Sequence, residues 1–288
     1  LIFITRNILK QLFIPVYLIN IFTLLTGFTL YSFYTKSSTD AIAITFLLAA
    51  IANCISVLKN HGSPWQKKTI LLSVYLAISA SMKFMYMPVA LLIPFFLLIK
   101  GYAEKNKFVK KSGIISLLIL CICLSILFVY QKQISGSATH IAQADKGFFP
   151  QNLLATYPAA PSSFISSETI GLVINQPYQQ GEVINSVYQW INSLLIIILL
   201  IAGCWLIYKK GIKKKSTTLS FFYLALCISF TIIILLSALS VRYAKEFDSW
   251  TYVQEARYYG LITVLIQLCV FIFYKQFRSR NKRHAKYI

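Results

Sequence analysis

Seven stretches of this chain are too long, too apolar and too poor in charge to fold as the surface of a water-soluble domain. Residues 13–33, 41–58, 113–130, 190–208, 217–240 and 258–274 hold no charged side chain. Residues 70–99 form the seventh, interrupted by one cation, Lys83. The hydrocarbon core of a bilayer takes roughly 20 apolar residues of helix to cross, so runs of this length are spanning candidates. Lipid offers the backbone no hydrogen bonds, which leaves the helix as the spanning form unless a closed barrel is built. The two-residue alternation of a membrane β-barrel is absent. The fold expected is therefore all-α: a polytopic transmembrane helical bundle, with residues 1–288 forming a single membrane domain.

Charge gives the orientation. The chain is 57% hydrophobic, yet 28 basic and 8 acidic residues leave a formal net charge of +20. Cytoplasmic loops of membrane proteins are enriched in Lys and Arg. Taking Arg6 and Lys10 as inside, the chain alternates consistently through Lys59, Lys67 and Lys68, then Lys100, Lys105, Lys107, Lys110 and Lys111. Lys209, Lys210, Lys213, Lys214 and Lys215 follow, and the tail from Lys275 to Lys286 is also inside. Outside lie Lys36, Lys83, Lys132, Lys146, Arg242, Lys245 and Arg257, balanced by every acid except Glu104. The inner face thus carries the whole excess. Its natural partners are anionic membrane lipids, and no nucleic acid is expected.

Parity then settles residues 70–99. A single crossing would put every later basic loop outside, so a hairpin is required. It rises through residues 70–82, turns near Lys83 and descends through residues 84–99. The rising arm is about 20 Å long at roughly 1.5 Å per residue, short of a full crossing. The expected topology has about eight membrane segments of bilayer-crossing character, including this short hairpin, with both termini cytoplasmic.

All six cysteines fall within the apolar runs. They read as small hydrophobes, so neither a disulfide nor a cysteine metal site is expected. His61, His140 and His284 are scattered over three loops, which argues against a histidine metal cluster. Residues 1–4 are apolar before Arg6 and read as the tail of a helix, so the chain is expected to be a fragment or to carry a mis-assigned start.

Three outer segments hold the candidate chemistry. Ser37, Ser38, Thr39 and Asp40 precede the second span, and all four suit a helix N-cap, which by itself would explain them. Lys83, followed by Tyr86, is a cation at a depth that demands a wet cavity or a partner, unless its stem snorkels to the headgroups. The third is the stretch from Glu246 to Tyr259, rich in aromatics. Trp250 and its tyrosines fit an interfacial belt, while Arg257 offers a planar fork suited to phosphate. Between these, residues 131–189 form one long extracytoplasmic loop, partly apolar and broken by Pro150, Pro158, Pro161 and Pro177. Loops of this size are commonly lids or binding surfaces. No Gly-rich phosphate loop, His-Glu-x-x-His, Gly-x-Ser-x-Gly or internal repeat is present.

Taken together, three stretches resemble the membrane region of GT-C glycosyltransferases, the class of protein O-mannosyltransferases and lipid A aminoarabinose transferases. They are Tyr31-Ser32-Phe33-Tyr34 through Ser38-Thr39-Asp40-Ala41-Ile42-Ala43, then Leu76 to Phe84 with its small residues and Lys83, then Glu255-Ala256-Arg257-Tyr258-Tyr259. The resemblance implies sugar transfer from a polyprenyl-phosphate donor to an acceptor at the extracytoplasmic face, and the few cysteines with the direct membrane start fit a bacterial inner membrane. It assigns Lys83, Arg257 and Tyr258 to the donor phosphate, Asp40 to the cavity wall and Glu255 to orienting Arg257. The family's acidic pair lies in a first outer loop that would fall upstream of Leu1. The catalytic base is therefore expected outside this chain, the activity incomplete without it, and a divalent cation is left open for a full-length enzyme. Two rival readings share the topology: a flippase or transporter for lipid-linked sugars, and an O-antigen-type polymerase. Transport without transfer would mark the first, and turnover of lipid-linked repeat units the second.

Overall fold

The computed structural model describes residues 2–12, 14–21, 23–24, 38–59, 65–83, 86–135, 216–243, 261–262 and 264–274. Among these residues helix is the only extended secondary structure. In chain order the main helices are α1 (Ile2–Gln11), α2 (Ser38–Lys59), α3 (Trp65–Met82), α4 (Met87–Ala103), α5 (Lys107–Ser135), α6 (Thr217–Tyr243) and α7 (Val264–Tyr274), and residues 16–21, 23–24 and 261–262 are also helical. Among the described residues three stretches are long and apolar enough to cross a membrane: Ala41–Lys59, Lys107–Ile134 and Thr217–Leu235. The chain is a helical membrane protein on this ground.

Hydrogen bonds across the seams give the relative directions of the helices. Buried Ser79, near the end of α3, donates from Oγ to the carbonyl of Ala43, near the start of α2, at 2.9 Å. About one turn away the rings of Phe46 and Tyr75 sit 5.8 Å apart. The two helices are antiparallel. Small side chains line their contact, with Ala43, Ala50, Ser79 and Ala80 all buried, and small residues let backbones approach where no water drives association. Thr69 Oγ1 donates to Ser112 Oγ at 2.9 Å, so α3 and α5 run parallel with their starts together.

The joint between α4 and α5 is closely packed. A Cβ on Gly101 would lie 2.5 Å from the backbone nitrogen of Lys110, and one on Gly113 would lie 2.9 Å from that of Leu98. The turn itself is a Schellman motif. The Asn106 N–H donates to Gly101 O at 2.9 Å and the Lys105 N–H to Tyr102 O at 3.2 Å, with Lys105 left-handed at φ 53°. Asn106 then caps α5, its Oδ1 accepting from the N–H groups of Phe108 at 3.0 Å and Val109 at 3.3 Å. Within that turn Lys100 and Glu104 form a buried ion pair, Nζ to Oε1 2.9 Å. Although α3 and α4 are consecutive, α3 packs chiefly against α2 and α5, while α4 packs against α5 and supports α6. Leu261, Leu265 and Leu268 belong to the same buried core.

Helix α1 is amphipathic. Thr5, Ile8, Leu9 and Leu12 are buried at helical spacing, while Phe3 and Lys10 face outward. Its end is pinned to the end of α2: Lys59 Nζ donates to Gln11 O and Ser56 Oγ to Gln11 Oε1, each at 3.1 Å.

Several element limits differ from the sequence-based expectation. The break falls at Lys83 as expected, but α3 begins at Trp65, five residues before the apolar run. Its 18 residues span about 27 Å, close to a full hydrocarbon core of roughly 30 Å. Lys67 and Lys68 cost the run its hydropathy without costing it helicity, since lysine is a good helix former. Helix α5 likewise starts at Lys107 and continues to Ser135, five residues into the long loop that had been bounded at 131. The remainder of that loop and the apolar run 190–208 lie outside the described residues. Lys100 is a buried residue in the last turn of α4, where a basic loop had been expected. The apolar residues 2–4 are part of α1, which runs on to Gln11 and carries Arg6 and Lys10 within it.

Candidate functional site

The end of the bundle marked by the Ser79–Ala43 hydrogen bond is the end to which the backbone carries two of the expected site residues. Asp40 stands three residues before Ala43 in the first turn of α2, and α2 does begin within the Ser37–Asp40 tetrad. Lys83 stands four residues after Ser79. Each is therefore about one helical turn, roughly 5–6 Å, beyond the contact and toward the same end. The Asp40 side chain lies outside the described residues.

Lys83 is half-buried and occupies the joint between α3 and α4. Its N–H donates to Ser79 O at 3.3 Å, finishing α3, and its carbonyl accepts from the Tyr86 N–H at 3.0 Å. Tyr86 is fully buried and precedes α4, whose second residue is Pro88. Proline in a first helical turn needs no donor and carries the helical φ, so the restart of the helix here follows from local chemistry. The backbone is thus fixed on both sides of Lys83, which places this residue at a helix break near one end of the bundle. An ammonium there can do two things: neutralise an anionic headgroup, or stabilise charge developing on a departing phosphate.

Arg257, Tyr258 and Glu255 lie outside the described residues, so the structure neither joins them to Lys83 nor separates them from it. Helix is described again from Leu261, three residues after Tyr258. Among the described residues no three His, Cys, Asp or Glu side chains are grouped as a metal site. Cys54, Cys121, Cys123, Cys227 and Cys269 are free thiols within helices.

Two residues at this end carried more weight than their sequence context conveyed. In the sequence Ser79 is one member of a small-residue run, yet it makes the hydrogen bond that sets α3 against α2. Its signal was present in the spacing of Leu72, Leu76, Ser79 and Ala80, which follows one helical face. In the sequence Tyr86 merely follows Lys83, yet it is wholly buried. A tyrosine directly before a Met-Pro helix start is a weak signal and would not have been distinguished from a belt residue.

Comparison with protein-family models, with curated proteins and with solved structures finds no significant match.

Proposed function

We propose that this chain is the membrane region of a GT-C-type glycosyltransferase that handles a polyprenyl-phosphate-linked sugar at the extracytoplasmic face of a bacterial inner membrane. The observation that carries the reading is the position of Lys83. It is the one cation in an otherwise uncharged stretch of 30 residues, it sits at a helix break, and the start of α2 with Asp40 lies at the same end. In this reading Lys83 binds the donor phosphate together with Arg257 and Tyr258, Glu255 orients Arg257, and Asp40 lines the cavity. The cations hold the phosphate and offset the charge it gains as the sugar leaves.

The reading includes about eight membrane segments with both termini cytoplasmic, on the positive-inside pattern. The ends of the described helices support that arrangement. The hydrogen-bonded pairs Gln11–Lys59 and Thr69–Ser112 mark the end of the bundle that holds Lys10, Lys67, Lys68, Lys107, Lys110 and Lys111. Ala43, Ser79 and Lys83 share the opposite end.

The test is ligand binding by the purified chain. Polyprenyl phosphate should bind saturably, and the uncharged polyprenol of the same length should bind far more weakly. Equal binding of the two lipids would reject a phosphate-reading site, and with it the assignment of Lys83.

A further inference from the structure

The opposite end of the bundle carries a surface with a different chemistry. The starts of α3 and α5 lie side by side, joined by the Thr69–Ser112 hydrogen bond at 2.9 Å and by the rings of Trp65 and Phe108 at 6.1 Å. Lys67, Lys68, Lys107, Lys110 and Lys111 all fall within the first turns of these two helices, and neither first turn contains an acid. Cations at helix starts oppose the helix dipole, so folding alone gives no reason to collect five of them here. Among residues whose side chains are described, Glu104 is the only carboxylate, and it is bound to Lys100.

A second feature says what complements this surface. Lys107, Lys111, Ile114, Leu118 and Ile122 recur every three or four residues on one face of α5, and all five are exposed. The face therefore begins with two ammonium groups and continues into the span as a bare aliphatic ridge. Beside it Tyr102 is exposed, with the Lys110 ammonium 4.0 Å above its ring, and Phe108 is exposed beside Trp65. Aromatic side chains at this level match the boundary between headgroups and acyl chains. A soluble polyanion would satisfy the lysines and leave the ridge uncovered. An anionic phospholipid satisfies both.

We infer that the α3–α5 corner is a binding site for an anionic phospholipid of the adjoining leaflet. Lys67, Lys68, Lys107 and Lys111 hold its phosphate, and its acyl chains lie along Ile114, Leu118 and Ile122. The site is separate from the one proposed around Lys83 and depends only on membrane embedding, so sugar-transfer activity has no bearing on its test.

The full chain, purified in a mild detergent, is titrated with phosphatidylglycerol, with phosphatidylcholine and with inorganic phosphate, following lipid retention by native mass spectrometry and the unfolding midpoint. Phosphatidylglycerol should be retained and should raise the midpoint, and added salt should weaken it. The pairs Lys67→Gln/Lys68→Gln and Lys107→Gln/Lys111→Gln should each weaken phosphatidylglycerol about thirtyfold, given roughly 1 kcal/mol for each of the two interfacial cations removed. Lys107→Arg/Lys111→Arg should retain binding, which separates lost charge from lost folding. Glutamine at Lys209, Lys210, Lys213, Lys214 and Lys215 should leave binding unchanged. Equal retention of phosphatidylcholine, equal stabilisation by inorganic phosphate, or equal loss from the Lys209–Lys215 variant would overturn the site.

Discussion

Glu104 Oε1 lies 2.9 Å from Lys100 Nζ, one helical turn apart, with side chains only 7% and 5% exposed. The pair closes α4 at the point where the chain reverses into α5. Removing one member of a buried pair leaves the other charge without compensation, a loss of about 3–5 kcal/mol. Glu104→Gln should therefore destabilise the chain by about 3 kcal/mol in detergent unfolding, within that range. Lys100→Met combined with Glu104→Gln should recover most of the loss. A single variant as stable as the parent would mean that the pair is solvated in the membrane interface.

The two glycines of the α4–α5 joint make a sharper prediction, because the atoms they face are backbone. A Cβ at Gly113 would lie 2.9 Å from Leu98 N and 3.0 Å from Pro94 O, and neither can swing away. Gly101 is closer still, 2.5 Å from Lys110 N. Gly101→Ala and Gly113→Ala should each cost about 1–3 kcal/mol through forced separation of the helices. Gly101→Ala should be the worse of the two. Unfolding midpoints measured side by side would check the order.

Lys105 offers the opposite sign. It holds a left-handed conformation, φ 53°, at the position of a Schellman turn where glycine is usual. That conformation costs a side chain about 1–2 kcal/mol, while the extra freedom of an unfolded glycine offsets about 0.5–1 kcal/mol of the relief. Lys105→Gly should stabilise the chain by up to about 1 kcal/mol, and Lys105→Val should destabilise it. A stabilising valine would contradict the turn geometry.

How much of this could be read in advance depends on which force shaped each element. Helices α2 and α6 follow from burial in lipid, and the uncharged runs 41–58 and 217–240 mark them to within about three residues at each end. The starts of α3 and α5 follow from capping and propensity, which hydropathy does not sense. Pro64, immediately before Trp65, and Asn106 were the available signals. The buried face of α1 was legible as a helical period but was hidden by its brevity. At the candidate site, the break at Lys83 was visible as the one charge in its run. The Ser79–Ala43 bond was not, because a contact spanning 36 residues leaves no trace in local spacing.

Whether α3 crosses the membrane can be tested at its two ends. Gln66 and Met82 are both exposed and lie in the first and last turns of this helix. In a background lacking the native cysteines, Met82→Cys should react with an impermeant thiol reagent on intact cells. Gln66→Cys should react only after permeabilisation. The reverse pattern would invert the bundle, and labelling of both from outside would remove α3 from the set of crossings.

The last prediction concerns Lys83, where the proposed chemistry and the fold can be separated. Its backbone, not its side chain, makes the N–H bond to Ser79 O and accepts from the Tyr86 N–H. A substitution that keeps the stem should therefore leave the α3–α4 joint intact. Lys83→Gln should insert normally and unfold near the parent midpoint. It should bind polyprenyl phosphate at least about tenfold more weakly, since a hydrogen bond to a charged group contributes about 1.5–3 kcal/mol. Lys83→Arg should keep most of the affinity, because the charge remains within reach of the phosphate. Asp40→Asn should have the smaller effect on donor affinity, because a carboxylate cannot itself hold a phosphate. If Lys83→Gln binds as tightly as the parent, the ammonium serves only to anchor the joint near the headgroups, and the phosphate must be read elsewhere.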